Sequence, residues 1–172
     1  VAQQIPGGEI YPSLEKGTID GAEWVGPYDD EKLGFYKVAR FYYYPGWWEG
    51  GTQTHIFTNI DRYNSLPAGY KSIVRAAADA ANLWMTSKYD AENPQALKRL
   101  LANGTQLRAF PQPVMEACLK AANEVYAEIS ATNAEFKKIW DNIVAFRNDA
   151  YLWWQVAEAS YDNFMIRTRP RG

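Results

Sequence analysis

The sequence predicts an α/β protein with a helix-rich second half and a long C-terminal helix. In the first part of the chain, short strand-like and helix-like segments alternate, which is the order of elements typical of α/β folds. From residue 59 onward glycine becomes scarce and apolar side chains recur at helical spacing. A chain of 172 residues is long enough for one hydrophobic core, because a domain of about 150 residues buries roughly 70% of the surface that its unfolded chain exposes.

The first part of the sequence predicts four strands and two helices. A glycine in the position that commonly ends a helix closes the first one, and an acidic first turn with a basic last turn marks the second. Aromatic and alternating β-prone residues mark the strands. The predicted elements are, in order, strand 1–6, helix 8–17, strand 18–20, helix 28–39, strand 40–44 and strand 52–59.

The second part predicts four helices and one short strand, and its last helix is unusually long. The elements are helix 67–89, helix 94–102, strand 105–110, helix 113–130 and helix 133–166. About thirty helical residues span roughly 45 Å at 1.5 Å per residue, which exceeds the diameter of a compact domain of this size. We therefore expect the last helix to kink, to cross two lobes or to project toward a partner chain.

Two carboxylate–indole pairs lie in loops that glycine and proline interrupt. The first pair, Glu23 and Trp24, directly follows the predicted strand 18–20, and the second pair, Trp48 and Glu49, lies between the strands 40–44 and 52–59. Binding residues concentrate on positioned loops, so the pairs indicate a site for a small ligand or a cation. The alternative is that the tryptophans belong to the core and the glutamates are solvated.

Composition excludes several classes of function. A net charge of −2 without a run of Lys or Arg offers no electrostatic footprint for nucleic acid. The single cysteine, Cys118, excludes an internal disulfide and a thiolate metal cluster, and its alanine-rich helical context predicts a small buried hydrophobe. The sequence contains no run of about 18 apolar residues, so it predicts no membrane-spanning helix. The first ten residues lack the basic start and apolar stretch of a signal peptide.

An ordered series of segments resembles the solute receptors of tripartite ATP-independent periplasmic (TRAP) transporters. The segments read IPGGEIYPSLEKGTIDGAEWVGP, DDEKLGFYKVA and YYYPGWWEGG, followed by the aromatic terminal helix. Within that family the likeness is to the branch that binds 2-oxo acids such as pyruvate, and it matches the C-terminal half of such a receptor. The resemblance implies a two-lobe fold of the periplasmic binding protein type, of which residues 1–167 form the C-terminal part. The remaining residues, 168–172, are expected to be a disordered tail.

The resemblance also implies where the ligand binds. The chain would cross between the lobes near residues 21–27 and back near residues 45–54, so that both carboxylate–indole pairs lie beside the cleft. Trp24, Trp48 and Glu49 would contact the ligand, a small 2-oxo or hydroxy monocarboxylate. Glu23, the backbone carbonyl of Trp24 and Glu49 would bind a cation, sodium or another hard cation such as calcium. An α-oxo acid and carboxylates are the oxygen ligands that such a cation prefers.

The same resemblance implies a binding protein without catalysis, located in the periplasm, that delivers its ligand to the TRAP membrane subunits. The arginine with which the family holds the ligand carboxylate would lie upstream of residue 1, in an N-terminal half that this chain does not contain. Related receptors exchange their terminal helices between two subunits. We therefore expect a homodimer through the C-terminal helix, with Trp153, Trp154, Tyr161 and Phe164 at the contact.

Two other classes of function remain open at the level of sequence. A carbohydrate-active hydrolase or lyase could use Glu23 and Glu49 as a carboxylate pair, with the tryptophans as sugar platforms. A helical interaction module would bind no small ligand. A hydrolase that needs a histidine base would have to use His55, the single histidine, but no nucleophile motif accompanies it. The acidic run Asp29–Glu31 is explained by its place in the first turn of a helix.

Overall fold

The computed structural model describes residues 1–51 and 54–170. The chain divides into two compact units, Val1–Pro111 and Gln112–Gly172. Helices dominate both units, and a two-stranded parallel sheet lies in the first, so the predicted α/β class with a helix-rich second half is confirmed. Among the described residues, no helix combines the length and the hydrophobicity that a membrane span needs.

The first unit is built around a small sheet and one very long helix. Its elements are α1 (Gly7–Glu15), α2 (Pro27–Lys32), a 3-10 turn (Phe35–Lys37), β1 (Phe41–Tyr44), α3 (Ile60–Asn64), α4 (Ala68–Ala102) and β2 (Gln106–Ala109). Strands β1 and β2 pair in parallel, with Phe41 opposite Gln106 and Tyr44 opposite Ala109. Parallel strands require a crossover, which here contains α3 and α4. Helix α2 packs against α4.

Three of the predicted strands do not form. Residues 1–6, 18–20 and 54–59 have no strand structure, and residues 52–53 of the predicted strand 52–59 lie outside the described part of the chain. A β-strand is stable only when its backbone groups pair with a neighbour. Across the described residues, β1 and β2 pair only with each other, so these segments have no partner to complete them.

The predicted helix 28–39 is shorter in the structure because Gly34 interrupts it. Helix α2 ends at Lys32, and Gly34 adopts a left-handed conformation with φ = 76° before the 3-10 turn begins at Phe35. Glycine tolerates this conformation without the steric cost that a side chain imposes. The interruption buries Phe35, which is 9% exposed.

The predicted break between the helices 67–89 and 94–102 is wrong, because α4 continues through Pro94. Proline removes one backbone hydrogen bond from a helix interior and costs about 3 kcal/mol there. This part of α4 compensates with tertiary contacts: Ala96 and Leu100 are buried, and the Asn93 side chain accepts a hydrogen bond from the backbone N–H of Tyr28 at 3.0 Å. Tertiary packing therefore overrides the local signal.

The second unit is a chain of three helices: α5 (Gln112–Thr132), α6 (Ala134–Val156) and α7 (Glu158–Thr168). Asn133 caps α6, because its side-chain oxygen accepts a hydrogen bond from the Phe136 N–H at 2.9 Å. Tyr126 of α5 packs on Trp140 of α6 with ring centroids 4.2 Å apart. Cys118 was predicted to be buried, but in the structure it is half-buried. No residue of α5 is fully buried.

Of the three outcomes expected for the terminal helix, the structure shows a kink. The predicted helix 133–166 is two helices that meet at Ala157, whose backbone leaves the helical region at φ −88° and ψ −93°. Of the predicted disordered tail 168–172, Thr168 is the last residue of α7 and residues 171–172 lie outside the described residues.

Candidate functional site

Both carboxylate–indole pairs line one open cavity of about 900 Å³ in the first unit. Glu23 and Trp24 reach it from the segment between α1 and α2, and Trp48 and Glu49 reach it from the loop after β1. The volume lies within the range of small-molecule sites in proteins. The alternative of core tryptophans and solvated glutamates is contradicted for the tryptophans, since Trp24 is 37% exposed and Trp48 is 44% exposed. Its other part agrees with the structure, in which Glu23 and Glu49 are exposed.

Two neighbouring elements, α1 and the 3-10 turn, hold the indole of the first pair in place. The Trp24 indole meets the buried Phe35 ring edge-on, with centroids 6.3 Å apart and planes at 87°. On its other side it contacts the start of α1, where a Cβ added to Gly7 would lie 2.5 Å from Cη2 of Trp24. Only glycine leaves room for the indole at this position. Trp24 is therefore seated between α1 and the 3-10 turn.

Among the described residues, the ring contact of the second pair lies within its own loop. The neighbouring indoles of Trp47 and Trp48 pack edge to face with centroids 5.2 Å apart, and Trp47 is half-buried. Trp48 and Glu49 are both exposed on the wall of the cavity. Residues 52–53, at the end of the predicted crossover 45–54, lie outside the described residues.

The carboxylates of the two pairs interact electrostatically. The pKa of Glu23 is raised above its ordinary value, first by partial burial and then by the negative charges of Glu49 and Asp30. Loss of hydration and nearby like charges both disfavour the ionised form. A bound cation would stabilise the ionised form and so offset both effects, which is why this arrangement suits a positively charged ligand.

A buried carboxylate at the cavity, Asp30 in the first turn of α2, was missed by the sequence reasoning. Its exposed fraction is only 7%. One oxygen accepts a hydrogen bond from the Tyr42 hydroxyl at 2.5 Å, and the other accepts one from the Gly26 N–H at 3.2 Å. Burial raises the pKa of Asp30, and these two hydrogen bonds oppose the rise. The helix dipole explained the charge of Asp30 but gave no reason to place it in the site.

The other two acids of the run fasten α2 to α4. Asp29 accepts a hydrogen bond from the Tyr89 hydroxyl at 2.7 Å. Glu31 forms a two-point ion pair with the Arg99 guanidinium, with both N–O distances at 2.7 Å. The position of the acidic run, which begins two residues after Pro27, was the available signal, because a helix that begins at Pro27 must lie beside the first carboxylate–indole pair.

Other polar residues that line the cavity include Asp20, Arg40 and Thr105. Arg40 is the last residue before β1 and supplies a positive charge on the wall. Thr105, just before β2, is 7% exposed, and its hydroxyl has no hydrogen-bond partner among the described residues. His55 is exposed and stacks on Phe57, and it is absent from the residues that line the cavity, so the geometry gives no support to a histidine base there.

The acidic residues do not form a preassembled metal cluster. Within residues 1–51 and 54–170, no three or more His, Cys, Asp or Glu side chains come together as a metal site. A cation in the cavity would therefore need backbone carbonyl and ligand oxygens in addition to Glu23 and Glu49. Hard cations accept such mixed oxygen shells.

Comparisons with known proteins identify the family. Residues 1–133 match the DctP family model, described as bacterial extracellular solute-binding protein, family 7. The chain is 48% identical over 162 residues to a monocarboxylate 2-oxoacid-binding periplasmic protein of Nostoc sp. strain PCC 7120, covering 94% of this chain and 44% of that protein. The family is thus one of solute-binding proteins rather than of enzymes, which favours a receptor over a carbohydrate-active hydrolase or lyase.

A solved structure agrees with this assignment. A TRAP transporter solute binding protein from Bordetella bronchiseptica RB50 superposes with a TM-score of 0.88 at 44% identity, covering 96% of this chain and 49% of that one. Its crystal structure is a mixed occupancy dimer that contains an active site with copurified calcium and picolinate bound and also an apo site. The chain spans about half the length of the relatives that it matches. The predicted fold, part of a TRAP solute-binding protein, is confirmed, and the chain belongs to the DctP family of bacterial extracellular solute-binding proteins.

Proposed function

We propose that this chain is part of an extracytoplasmic receptor that captures a small 2-oxo or hydroxy monocarboxylate together with a cation. One observation carries the proposal: the two carboxylate–indole pairs come from separate loops, line the same cavity, and are near enough that Glu49 raises the pKa of Glu23. The 2-oxoacid-binding relative from Nostoc and the picolinate-bound structure from Bordetella support a carboxylate as the ligand.

The cation would be held by Glu23, Glu49 and the backbone carbonyl of Trp24. Two carboxylates that face one cavity repel each other, and a hard cation between them removes that repulsion while it chelates the carboxylate and α-oxygen of the ligand. Calcium copurified with the Bordetella protein supports a hard cation, and sodium offers the same preference for oxygen ligands. Trp24 and Trp48 would then exclude water and fix the plane of the ligand.

The wider role follows from the family. A receptor of this type would work in the periplasm, close its lobes about crossovers near residues 21–27 and 45–54, and present the closed form to the TRAP membrane subunits. Binding that favours one conformation in this way is a shift of population between open and closed states. Pyruvate and similar small oxo acids are the first ligands to test.

A homodimer through the terminal helices is part of the same proposal. The four aromatic residues expected at the contact are all exposed: Trp153 at 65%, Trp154 at 41%, Tyr161 at 64% and Phe164 at 61%. Exposed apolar surface of this extent marks an interaction site on a soluble protein. Sedimentation of the natural full-length polypeptide should show a dimer at micromolar concentration, and a monomer at tens of micromolar would contradict this part.

The binding proposal is tested by titrating the natural full-length polypeptide with pyruvate in calcium, in sodium and without either. We expect binding to require one of the cations, and Glu49→Gln to weaken it at least about tenfold, since removal of one charged ligand from a cation site is costly. Glu9→Gln is the matched control, because Glu9 lies in the first turn of α1 and is not among the cavity residues. Unchanged pyruvate affinity in cation-free buffer would refute the cation role.

A further inference from the structure

The buried carboxylate of Asp30 connects three elements at the cavity. Asp30 belongs to the first turn of α2, its partner Tyr42 belongs to β1, and its partner Gly26 belongs to the segment that carries the first carboxylate–indole pair. Both Asp30 and Tyr42 line the cavity. The three elements therefore meet at one side chain, whose loss would release both hydrogen bonds.

Neither Asp30 nor Tyr42 is arranged to bind a ligand itself. Each oxygen of Asp30 already accepts a hydrogen bond, one at 2.5 Å and one at 3.2 Å, and the hydroxyl of Tyr42 donates its proton to Asp30. Hydrogen bonds to an ionised acceptor are about twice as strong as neutral ones. Their role at the cavity is therefore to fix geometry.

The geometry that they fix is that of the backbone after Trp24. The N–H of Gly26 points at Asp30 and donates to it at 3.2 Å. A peptide unit is planar and trans, so its N–H and C=O point in opposite directions. The Gly26 N–H that faces Asp30 thus turns the carbonyl of Val25 away from Asp30, and this fixed peptide unit limits the orientations open to the Trp24 carbonyl one residue earlier.

We propose that Asp30 and Tyr42 are positioning residues for the cation site: they hold the segment of residues 23–26 so that the Trp24 carbonyl and the Glu23 carboxylate face the cation. This inference rests on the proposed function and extends it to two residues that do not touch the cation. Groups that orient metal ligands from behind commonly contribute 10–100-fold to metal affinity.

The chain contains a matched control for the Tyr42 contact. Tyr89 donates its hydroxyl proton to Asp29, the residue before Asp30, at 2.7 Å. The bond has the same chemistry and joins the same short helix, but it fastens α2 to α4, and neither Tyr89 nor Asp29 is among the residues that line the cavity. Tyr42→Phe and Tyr89→Phe each remove one oxygen atom and one tyrosine–aspartate hydrogen bond.

The test compares these two variants and Asp30→Asn in the natural full-length polypeptide, with two measurements on each. The first is amide hydrogen exchange of residues 21–27 in the cation-free protein. The second is calcium affinity in the presence of pyruvate. We expect Tyr42→Phe and Asp30→Asn to speed exchange in this segment and to weaken calcium binding roughly tenfold. Tyr89→Phe should leave both measurements at the wild-type value, whatever it does to thermal stability.

Two results would overturn the inference. One is unchanged exchange of residues 21–27 in Tyr42→Phe, and the other is equal calcium affinity in Tyr42→Phe and Tyr89→Phe. A different result would contradict the proposed function: wild-type protein that binds pyruvate without any cation. The exchange measurement does not involve the ligand, so the two failures are distinguishable.

Discussion

The two carboxylate–indole pairs have similar exposure but very different support. Trp24 is 37% exposed and Trp48 is 44% exposed, yet Trp24 rests on the buried Phe35 and against Gly7, whereas among the described residues Trp48 lies against Trp47 and Gly46 of its own loop. From this difference we expect the first pair to be preformed and the second pair to adjust when a ligand binds. Preorganised groups bind without the cost of ordering, so this asymmetry should appear in the effects of mutations.

The largest effect should follow from Gly7→Ala, which attacks the preformed pair. The added Cβ would lie 2.5 Å from the Trp24 ring, so the indole must shift. We expect a loss of about 1–3 kcal/mol in the free energy of unfolding, as for other overpacked sites, together with weaker pyruvate binding. Thermal denaturation and calorimetric titration would measure the two changes.

Gly8→Ala provides the control for this substitution. It lies in the same helix and its Cβ would meet no atom within 4 Å. Alanine is the better helix former by up to about 1 kcal/mol, so this change should be neutral or stabilising. Equal destabilisation by the two substitutions would show that Trp24 is not held by α1.

Trp48→Ala should separate affinity from stability. The indole lines the cavity but is exposed and lightly supported, so we expect weaker pyruvate binding with a change of at most about 1 kcal/mol in the free energy of unfolding. Trp84→Ala removes an equally large and more exposed indole, at 63%, which is not among the cavity residues, and should leave pyruvate affinity unchanged. A large loss of stability in Trp48→Ala would mean that the second pair is as rigid as the first.

The pH dependence should report the interaction between the two pairs. The pKa of Glu23 in the folded, cation-free protein is raised above its ordinary value of 4.5, first by burial and then by the charge of Glu49. A raised carboxyl pKa means that ionisation of Glu23 costs folding stability, and this cost appears as pH rises from 4.5 through the folded-state pKa. A titration of isotopically labelled glutamates should place the Glu23 midpoint above 4.5 and move it down in Glu49→Gln. An unmoved midpoint would show that the carboxylates of the two pairs do not interact.

The smallest effect should come from Thr105→Val. The Thr105 hydroxyl is buried without a partner among the described residues, and valine has the same shape without the polar group. Removal of an unsatisfied hydroxyl should leave the free energy of unfolding unchanged or raise it by about 1 kcal/mol. A clear loss of stability, or of pyruvate affinity, would indicate that a bound water or the ligand uses this hydroxyl.

The comparison also shows what the sequence could predict. Both pairs stood out because carboxylates and indoles in loops rich in glycine and proline are unusual, and the structure brings all four residues to one cavity. Helix α1 and the strands β1 and β2 were also predicted within a few residues, since local residue preferences determine them. The resemblance to TRAP receptors added the order of the motifs and with it the family.

The features that were missed depend on contacts between distant parts of the chain. Asp30 resembled a helix-dipole residue until the fold placed Tyr42 beside it. Helix α4 passes through Pro94 where Asn93 contacts the start of α2. The strand-like segment of residues 1–6 has no partner strand among the described residues. In each case a tertiary contact, or the lack of one, decided the outcome, and periodicity does not record such contacts.

The most direct test of a cation shared by the two pairs is a crystal structure of the natural full-length polypeptide with pyruvate and calcium, recorded with anomalous scattering. We predict an anomalous peak between the Glu23 and Glu49 carboxylates, at about 2.3–2.6 Å from their oxygens and from the Trp24 carbonyl, with the pyruvate carboxylate completing the shell. Bound pyruvate with Glu23 and Glu49 turned apart and no peak between them would contradict the account.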